Sequence, residues 1–238
     1  MAEIYGRDLN YFFDEKVRKD PQPLWRKSVE LKKVNGVRRE FLRFLENYSN
    51  LECLLELKQR WKNIQKKIDK TDFMVRGFEL AEQLGKDIWR QLELGSRPAF
   101  NLLNVLENDL RIKVLHLTLP PGISGASLVD EVLGVGILIN AKDAPWRRNF
   151  DLAHELFHIV TWGVFTHKEI GDGTEKTPPE KYADAFASSL LLPESSLNQA
   201  LDEITTDGEI KLVDIIDLAK DFGVSTEAIL WRLVKLNR

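Results

Sequence analysis

The chain has 238 residues, of which 43% are hydrophobic and 30% are charged, and it contains a single cysteine. A chain of this length can bury a core that is stable without disulfides, so a disulfide-rich scaffold is excluded. No apolar run approaches the roughly 20 residues of a membrane span, which excludes an integral membrane protein. We therefore expect a soluble globular protein.

The amino terminus lacks the basic and apolar regions of a signal peptide. Together with the lone cysteine, Cys53, this favours a reducing, cytoplasmic location. Cys53 lies in an apolar run over residues 51–55. We expect it to be a buried small hydrophobe rather than a nucleophile.

The net charge of -3 is unevenly distributed, because residues 21–70 hold thirteen Lys or Arg against six Asp or Glu. Such a basic stretch can approach DNA phosphates or an acidic partner. Charged residues on helices are more often a solvated face, and we favour that interpretation.

The first part of the chain is predicted to be helical. Residues 1–13 suggest a short helix, which a charged linker follows. Apolar residues at helical spacing over residues 37–68, with a break at residues 48–50, predict a helical hairpin. Further helices are predicted over residues 73–94 and 101–110.

A small sheet is predicted next. Residues 111–118 alternate as a strand does, and residues 133–140 form a second, apolar strand, with Pro120, Gly122 and Gly125 in the loop between them. The second strand could hold an extended peptide by adding it to the sheet, or it could be a buried core strand.

Helices return over residues 148–162 and 180–192, and the tail, residues 211–236, predicts two short helices around a turn. The tail resembles a helix-turn-helix in outline, but few cations follow the turn, so we do not expect it to bind DNA. The order of helices, small sheet and helices predicts the α+β class.

The predicted helix at residues 148–162 contains the motif HExxH. It places His154 and His158 on one face, where both imidazoles can reach one Zn²⁺ at about 2.0 to 2.1 Å. Glu155 is positioned to take a proton from a zinc-bound water and to pass it to a leaving amine. A chance match on a solvated helix is the alternative. Apolar flanking residues argue against it, since a buried histidine pair needs partners.

A catalytic zinc has three protein ligands and an open position. An extended HExxHxxGxxH motif is ruled out because Thr161 and Val164 stand where Gly and His would be. Glu180 is the best candidate for the third ligand, although a glutamate can also simply favour a helix amino terminus. Asp184, one turn later, could accept a hydrogen bond from a ligating imidazole.

Residues 98–193 resemble the ImmA/IrrE family of metallopeptidases. The matching segments are NLLNVLENDLRIKV, Gly125, RRNFDLAHELFH and EKYADAFASSLLLP. The resemblance implies a zincin-like α+β domain with one Zn²⁺ per chain. It also implies roles for five residues: zinc ligands His154, His158 and Glu180, catalytic Glu155, and Asp184 supporting a ligand. Phe157 replaces a family Gly, and its ring narrows the space behind the metal.

Three further residues are weaker candidates. His167 follows the motif helix and could contact the oxyanion of the reaction, or it could be a solvated loop histidine. Arg147 precedes the motif and could guide substrate or pair with an acidic residue. His116 alternates outward from its strand and is expected to be structural.

The proteolytic members of the family cleave helix-turn-helix repressors and so regulate transcription, for example under stress. The resemblance therefore implies an endopeptidase whose protein substrate is such a repressor. A regulator that binds DNA or protein, with a vestigial or regulatory metal site, is the alternative. An interaction module of a toxin-antitoxin or prophage system is a third interpretation.

The predicted organisation has four parts. Residues 1–20 would be a remnant of a helix-turn-helix domain with a linker, because MAEIYGRDLNYFF resembles the last helix of such a domain, although an ordinary amphipathic helix is equally consistent. Residues 21–95 would be a helical region, residues 96–195 the zinc metallopeptidase domain, and residues 196–238 a helical tail.

Overall fold

The computed structural model describes residues 21–25, 31–171, 176–204 and 210–237. The predicted helix at residues 1–13, with its resemblance to a repressor helix, lies outside these ranges. Within them, no helix is both long and apolar enough to cross a membrane. The division of the chain at residues 95 and 195 stays a prediction.

The described helices and strands confirm the α+β class. The strands are β1 (Leu24–Trp25), β2 (Lys113–Leu117), β3 (Gly125–Asp130) and β4 (Gly134–Asn140). The helices are α1 (Leu31–Leu54), α2 (Lys70–Gln91), α3 (Pro98–Asn104), α4 (Pro145–Val160), α5 (His167–Gly171), α6 (Pro178–Leu191), α7 (Glu194–Ile204), α8 (Leu212–Phe222) and α9 (Thr226–Lys235). A π-helical turn, Val105–Asp109, continues α3.

The sheet has the strand order β1-β3-β4-β2. β3 is antiparallel to both β1 and β4, whereas β2 is parallel to β4. Both edges of β4 are therefore paired, and six of its seven residues are buried. Of the two alternatives, β4 is the buried core strand. The prediction that it binds a peptide by strand addition is wrong, because neither of its edges is free.

The predicted helical hairpin is also wrong. α1 continues through residues 48–50, where the Ser49 hydroxyl donates to the carbonyl of Val132 at 2.7 Å instead of competing with the helix backbone. The second arm contains only a short 3-10 turn at Trp61–Asn63. Trp61 and Ile64 are nevertheless buried, so the apolar pattern marked core positions but not their secondary structure.

Cys53 is exposed rather than buried, and Leu54 and Leu55 beside it are exposed as well. The face of α1 that meets the sheet passes through Phe41 and Leu45 to Glu52, which pairs with Lys113. Because successive helix residues are rotated by about 100°, Cys53 points away from that face.

The sheet separates two hydrophobic cores. The smaller core lies between α1 and the sheet face that carries Ala126, Leu128 and Leu138. The larger core packs α4 and the later helices against the opposite face, which carries Ile137 and Ile139. α4 therefore packs on the sheet face that carries Ile137 and Ile139, both fully buried.

α2 and α6 approach each other closely at a glycine. A methyl group on Gly85 would lie 2.6 Å from the backbone oxygen of Phe186. On the same face, the Ser189 hydroxyl donates to the carbonyl of Glu82 at 2.9 Å. Further along, α2 is kinked at Gly77, whose φ of 30° accommodates the nearby ring of Tyr182. α2 thereby fixes the position of α6.

We expect Gly85→Ala to destabilise the protein even though alanine favours a helix by about 0.5 to 1 kcal/mol. The added methyl must displace α6, and overpacking of this kind costs about 1 to 3 kcal/mol. Gly36→Ala is the matched control, since a methyl on Gly36 meets nothing within 4 Å and should be neutral or stabilising. Urea unfolding would measure both free energies. Equal stability of the two variants would contradict the close packing of α2 on α6.

Candidate metal centre

Three polar residues of the HExxH motif are buried on α4. The helix begins with Pro145, which is favourable at a first helical position. Every residue from 151 to 160 is buried, and His154, Glu155 and His158 are at most 2% exposed. The predicted buried motif helix is therefore present, and its imidazoles and carboxylate are withdrawn from solvent.

Glu180 lies in the first turn of α6 and faces the two histidines. One carboxylate oxygen is 3.2 Å from Nε2 of His154, and the other is 3.2 Å from Nε2 of His158. The two Nε2 atoms are 3.3 Å apart. The side chains of three potential ligands therefore converge from two helices on one small buried volume.

The spacing of these atoms fits a metal ion. Ligands 2.0 to 2.1 Å from a tetrahedral zinc lie about 3.3 to 3.4 Å from one another. The separation of 3.3 Å between the two Nε2 atoms agrees with that geometry, and each Nε2 has one oxygen of the Glu180 carboxylate at 3.2 Å. In the part of the chain that the structure describes, this trio is the one such group that could hold a metal.

Asp184 supports the trio from one turn further along α6. Its Oδ1 lies 3.0 Å from Nδ1 of His154. With a metal bound, the ring would keep its proton on Nδ1, so that the lone pair of Nε2 faces the ion. Without a metal, Nε2 donates a proton to Glu180. Lys176 binds the other oxygen of Asp184.

The two carboxyl groups stay ionised despite their burial. Burial raises the pKa of Asp184, but hydrogen bonds and charge from His154 and Lys176 outweigh it and lower the pKa to about 2. Burial also opposes ionisation of Glu180, yet the hydrogen bonds from His154 and His158 hold its pKa well below the usual range. The cluster therefore presents two ionised carboxylates, which suits a cation.

Glu155 lies against the sheet. A methyl group on Gly125, the first residue of β3, would be 2.8 Å from Oε1 of Glu155 and 2.9 Å from the carbonyl oxygen of Leu138. Only glycine fits without displacing one of them. Gly125 thus begins a strand instead of lying in the predicted loop. β3 has no clear sequence signal because the glycine and serine at its start are more typical of turns.

Arg147 contacts an acidic residue that the sequence analysis missed. Its Nε donates to Asp151 at 3.2 Å, and its Nη2 lies 3.5 Å from the hydroxyl of Ser124. Asp151 is fully buried, one turn before Glu155. The spacing of four residues on one helix was the pattern that could have found this pair. A role for Arg147 toward substrate stays a prediction.

The two remaining histidines are outside the cluster. His167 begins α5, is exposed, and has its ring edge-on to Trp162 at 6.4 Å. Its role toward an oxyanion stays a prediction. His116 is exposed on β2, and partial burial together with the charge of Arg148 lowers its pKa.

Phe157 lies on the core side of α4. Its ring meets Phe73 edge-on at 5.9 Å and packs against Phe186 at 5.6 Å. The same ring is 5.6 Å from the imidazole of His158. The residue that departs from the family pattern therefore fills the space behind the histidine pair.

We expect the protein to bind about one zinc per chain, and each of His154→Ala, His158→Ala and Glu180→Ala to reduce that content strongly. Each change leaves two ligands where a stable catalytic site has three. His116→Ala is the control and should keep full zinc, because His116 is not part of the group that could hold the metal. Inductively coupled plasma mass spectrometry measures the content. Full occupancy in Glu180→Ala would remove that residue from the ligand set.

Asp184→Ala should weaken zinc affinity by about 10- to 100-fold, the usual effect of losing the partner that orients a ligating histidine. Lys176→Ala removes the ion pair on Oδ2 of Asp184 and should have a much smaller effect. A competition titration with a chromophoric chelator measures both affinities. If the two variants lose affinity equally, the His154–Asp184 hydrogen bond is not what supports the site.

The comparison with known families agrees with this arrangement. A family model, Peptidase_M78, described as the IrrE N-terminal-like domain, matches residues 108–234, which is more than half of the chain. The match includes α4 and α6 with the whole His154, His158 and Glu180 trio. No curated protein matches the chain significantly. The chain therefore belongs to the IrrE N-terminal-like family of peptidases.

Proposed function

We propose that the protein is a zinc-dependent endopeptidase that cleaves a helix-turn-helix transcriptional repressor in the cytoplasm. The observation that carries the proposal is the buried trio of His154, His158 and Glu180, in which the two Nε2 atoms lie 3.3 Å apart and the carboxylate faces both. Glu155 lies on the same helix as the two histidines, where a peptidase needs a proton carrier.

Zinc suits the trio better than other common cations. Two imidazoles and one carboxylate form a donor set typical of catalytic zinc, whereas Mg²⁺ and Ca²⁺ prefer oxygen ligands alone. His154, His158 and Glu180 would hold the ion, and Asp184 would keep His154 in the ligating tautomer. When bound, the metal activates a water molecule and polarises the scissile carbonyl.

Glu155 carries the proton in this proposal. Its carboxylate is almost fully buried, and it follows His154 directly in the chain. It takes a proton from the attacking water and delivers it to the nitrogen of the leaving amine. Contact with Gly125 fixes the carboxylate on the side of α4 that faces β3, so its position does not depend on a flexible loop.

The repressor as substrate rests on the resemblance to ImmA/IrrE peptidases. Membership of a peptidase family implies a protein substrate. Regulatory members of the family act on one or few repressors, and the same is proposed here. The resemblance of residues 1–13 to a repressor helix is consistent with this and stays a prediction.

The alternative of a DNA-binding tail has less support. Arg232 on α9 is only 1% exposed, donates to the carbonyl of Leu192 at 3.1 Å, and lies 3.5 Å from Glu82. Lys235 pairs with Glu82 as well. The described cations of α9 are thus engaged within the protein, which leaves few for phosphates.

Glu155→Gln should keep the fold and the zinc but abolish cleavage. The amide preserves the shape of the side chain and cannot accept the proton, and general acid and base catalysis is worth about 10² to 10⁴ in rate. Cleavage of a co-expressed candidate repressor, followed on gels, measures the effect, and zinc content measures the site. If wild type and Glu155→Gln regulate the partner gene equally while the repressor stays intact in both, the protein is a binding regulator and not a peptidase.

A further inference from the structure

β1 occupies the outer edge of β3, the strand that touches Glu155. Leu24 pairs with Ser127 and Trp25 with Ala126, in antiparallel orientation. The chain thus runs from Leu24 to Trp25 in the direction of Gly125. β1 lies about 4.8 Å from β3, the usual spacing between strands. Its last residue, Trp25, pairs with Ala126, the neighbour of the Gly125 that touches Glu155.

The side chain of Leu24 belongs to the metal side of the sheet. Ala126 faces the smaller core beneath α1, so its neighbour Ser127 faces the opposite side, where Ile137 packs in the larger core. Leu24 pairs with Ser127 and shares that side, and it is only 6% exposed. β1 also contacts α5, which lies between α4 and α6 in the chain. The segment therefore fills the space between β3 and α5.

Ser127 is an unusual residue to lie beside the apolar side chain of Leu24. It is fully buried, and its hydroxyl finds no hydrogen-bond partner among the described residues. A buried hydroxyl without a partner is unfavourable. A permanent apolar contact would be better served by alanine or valine. A hydroxyl suits a strand edge at which β1 is replaced by a peptide whose polar groups can bond to it.

We propose that the outer edge of β3 is the peptide-binding edge of the protein and that residues 21–25 are its intramolecular occupant. The inference rests on the proposed peptidase function and adds its regulation: the site is autoinhibited while this segment is paired. An incoming substrate is an extended segment that adds antiparallel to β3 and presents an apolar side chain at the position of Leu24.

The segment is held by contacts that can be removed separately. Arg38 of α1 donates through Nη2 to the carbonyl oxygen of Pro21 at 2.9 Å, away from the metal centre. The next residue, Arg39, bonds instead to the carbonyl of Asn35 on its own helix. Arg38→Ala and Leu24→Ala therefore weaken the docked segment, whereas Arg39→Ala is a control of matched chemistry.

The first experiment measures binding of a fluorescein-labelled peptide with the sequence of residues 21–27. The proteins are the full chain with Glu155→Gln, alone and combined with Leu24→Ala, Arg38→Ala or Arg39→Ala. We expect affinity at least about tenfold higher for the Leu24→Ala and Arg38→Ala proteins, because the internal competitor lowers the fraction of binding-competent protein. Equal affinity of all four proteins overturns the proposal. Circular dichroism checks folding, and Arg38→Ala decides the matter if Leu24→Ala fails to fold.

A second experiment separates this inference from the peptidase function. With Glu155 intact and zinc added, hydrolysis of labelled casein should rise by a similar factor in Leu24→Ala and Arg38→Ala over wild type and Arg39→Ala. Tighter peptide binding without zinc-dependent hydrolysis in any protein would support the peptide-binding edge and reject the peptidase. If wild type hydrolyses casein while the variants bind the peptide no more tightly, the peptidase function stands. The proposal that residues 21–25 occupy the peptide-binding edge is then rejected.

Discussion

Two imidazole nitrogens, from His154 and His158, lie 3.3 Å apart in a buried site, and each has an oxygen of the Glu180 carboxylate at 3.2 Å. Such atoms repel one another unless a cation or a shared proton lies between them, and the low dielectric of a protein interior strengthens the repulsion. The surrounding structure is arranged to hold them there. The buried sheet supports α4, and the glycine contact at Gly85 holds α6 against α2.

β3 links the chemistry of the site to the edge of the sheet. Its first residue, Gly125, touches Glu155, and the next two residues carry the pairs with β1. A displacement at the edge of the sheet therefore reaches the carboxylate through one continuous piece of backbone. Ser127 and Gly125 lie on the same side of this strand. The strand therefore lines the site and also belongs to the core.

The sequence predicted the parts of the protein that local patterns determine. The HExxH spacing located His154 and His158 on α4, and the start of a later helix located Glu180. β1 escaped prediction because its partner strand lies about 100 residues away and leaves no local pattern. β3 forms a hairpin with β4 but escaped because Gly125 and Ser127 are poor strand formers. The exposure of Cys53 escaped for a different reason: apolar composition does not reveal which side of a helix meets the sheet.

The pairing of β1 with β3 also has a consequence for how the protein is made. Leu24 leaves the ribosome about 100 residues before its partner Ser127, which corresponds to roughly 5 to 20 s of synthesis at typical rates of about 5 to 20 residues per second. Contacts between distant parts of a chain form late because closing the loop between them costs entropy. A strand of two residues adds little stability of its own, so it opens more readily than the core strands. Of the described strands, the first to be synthesised is therefore expected to be the last to join the sheet and the first to leave it.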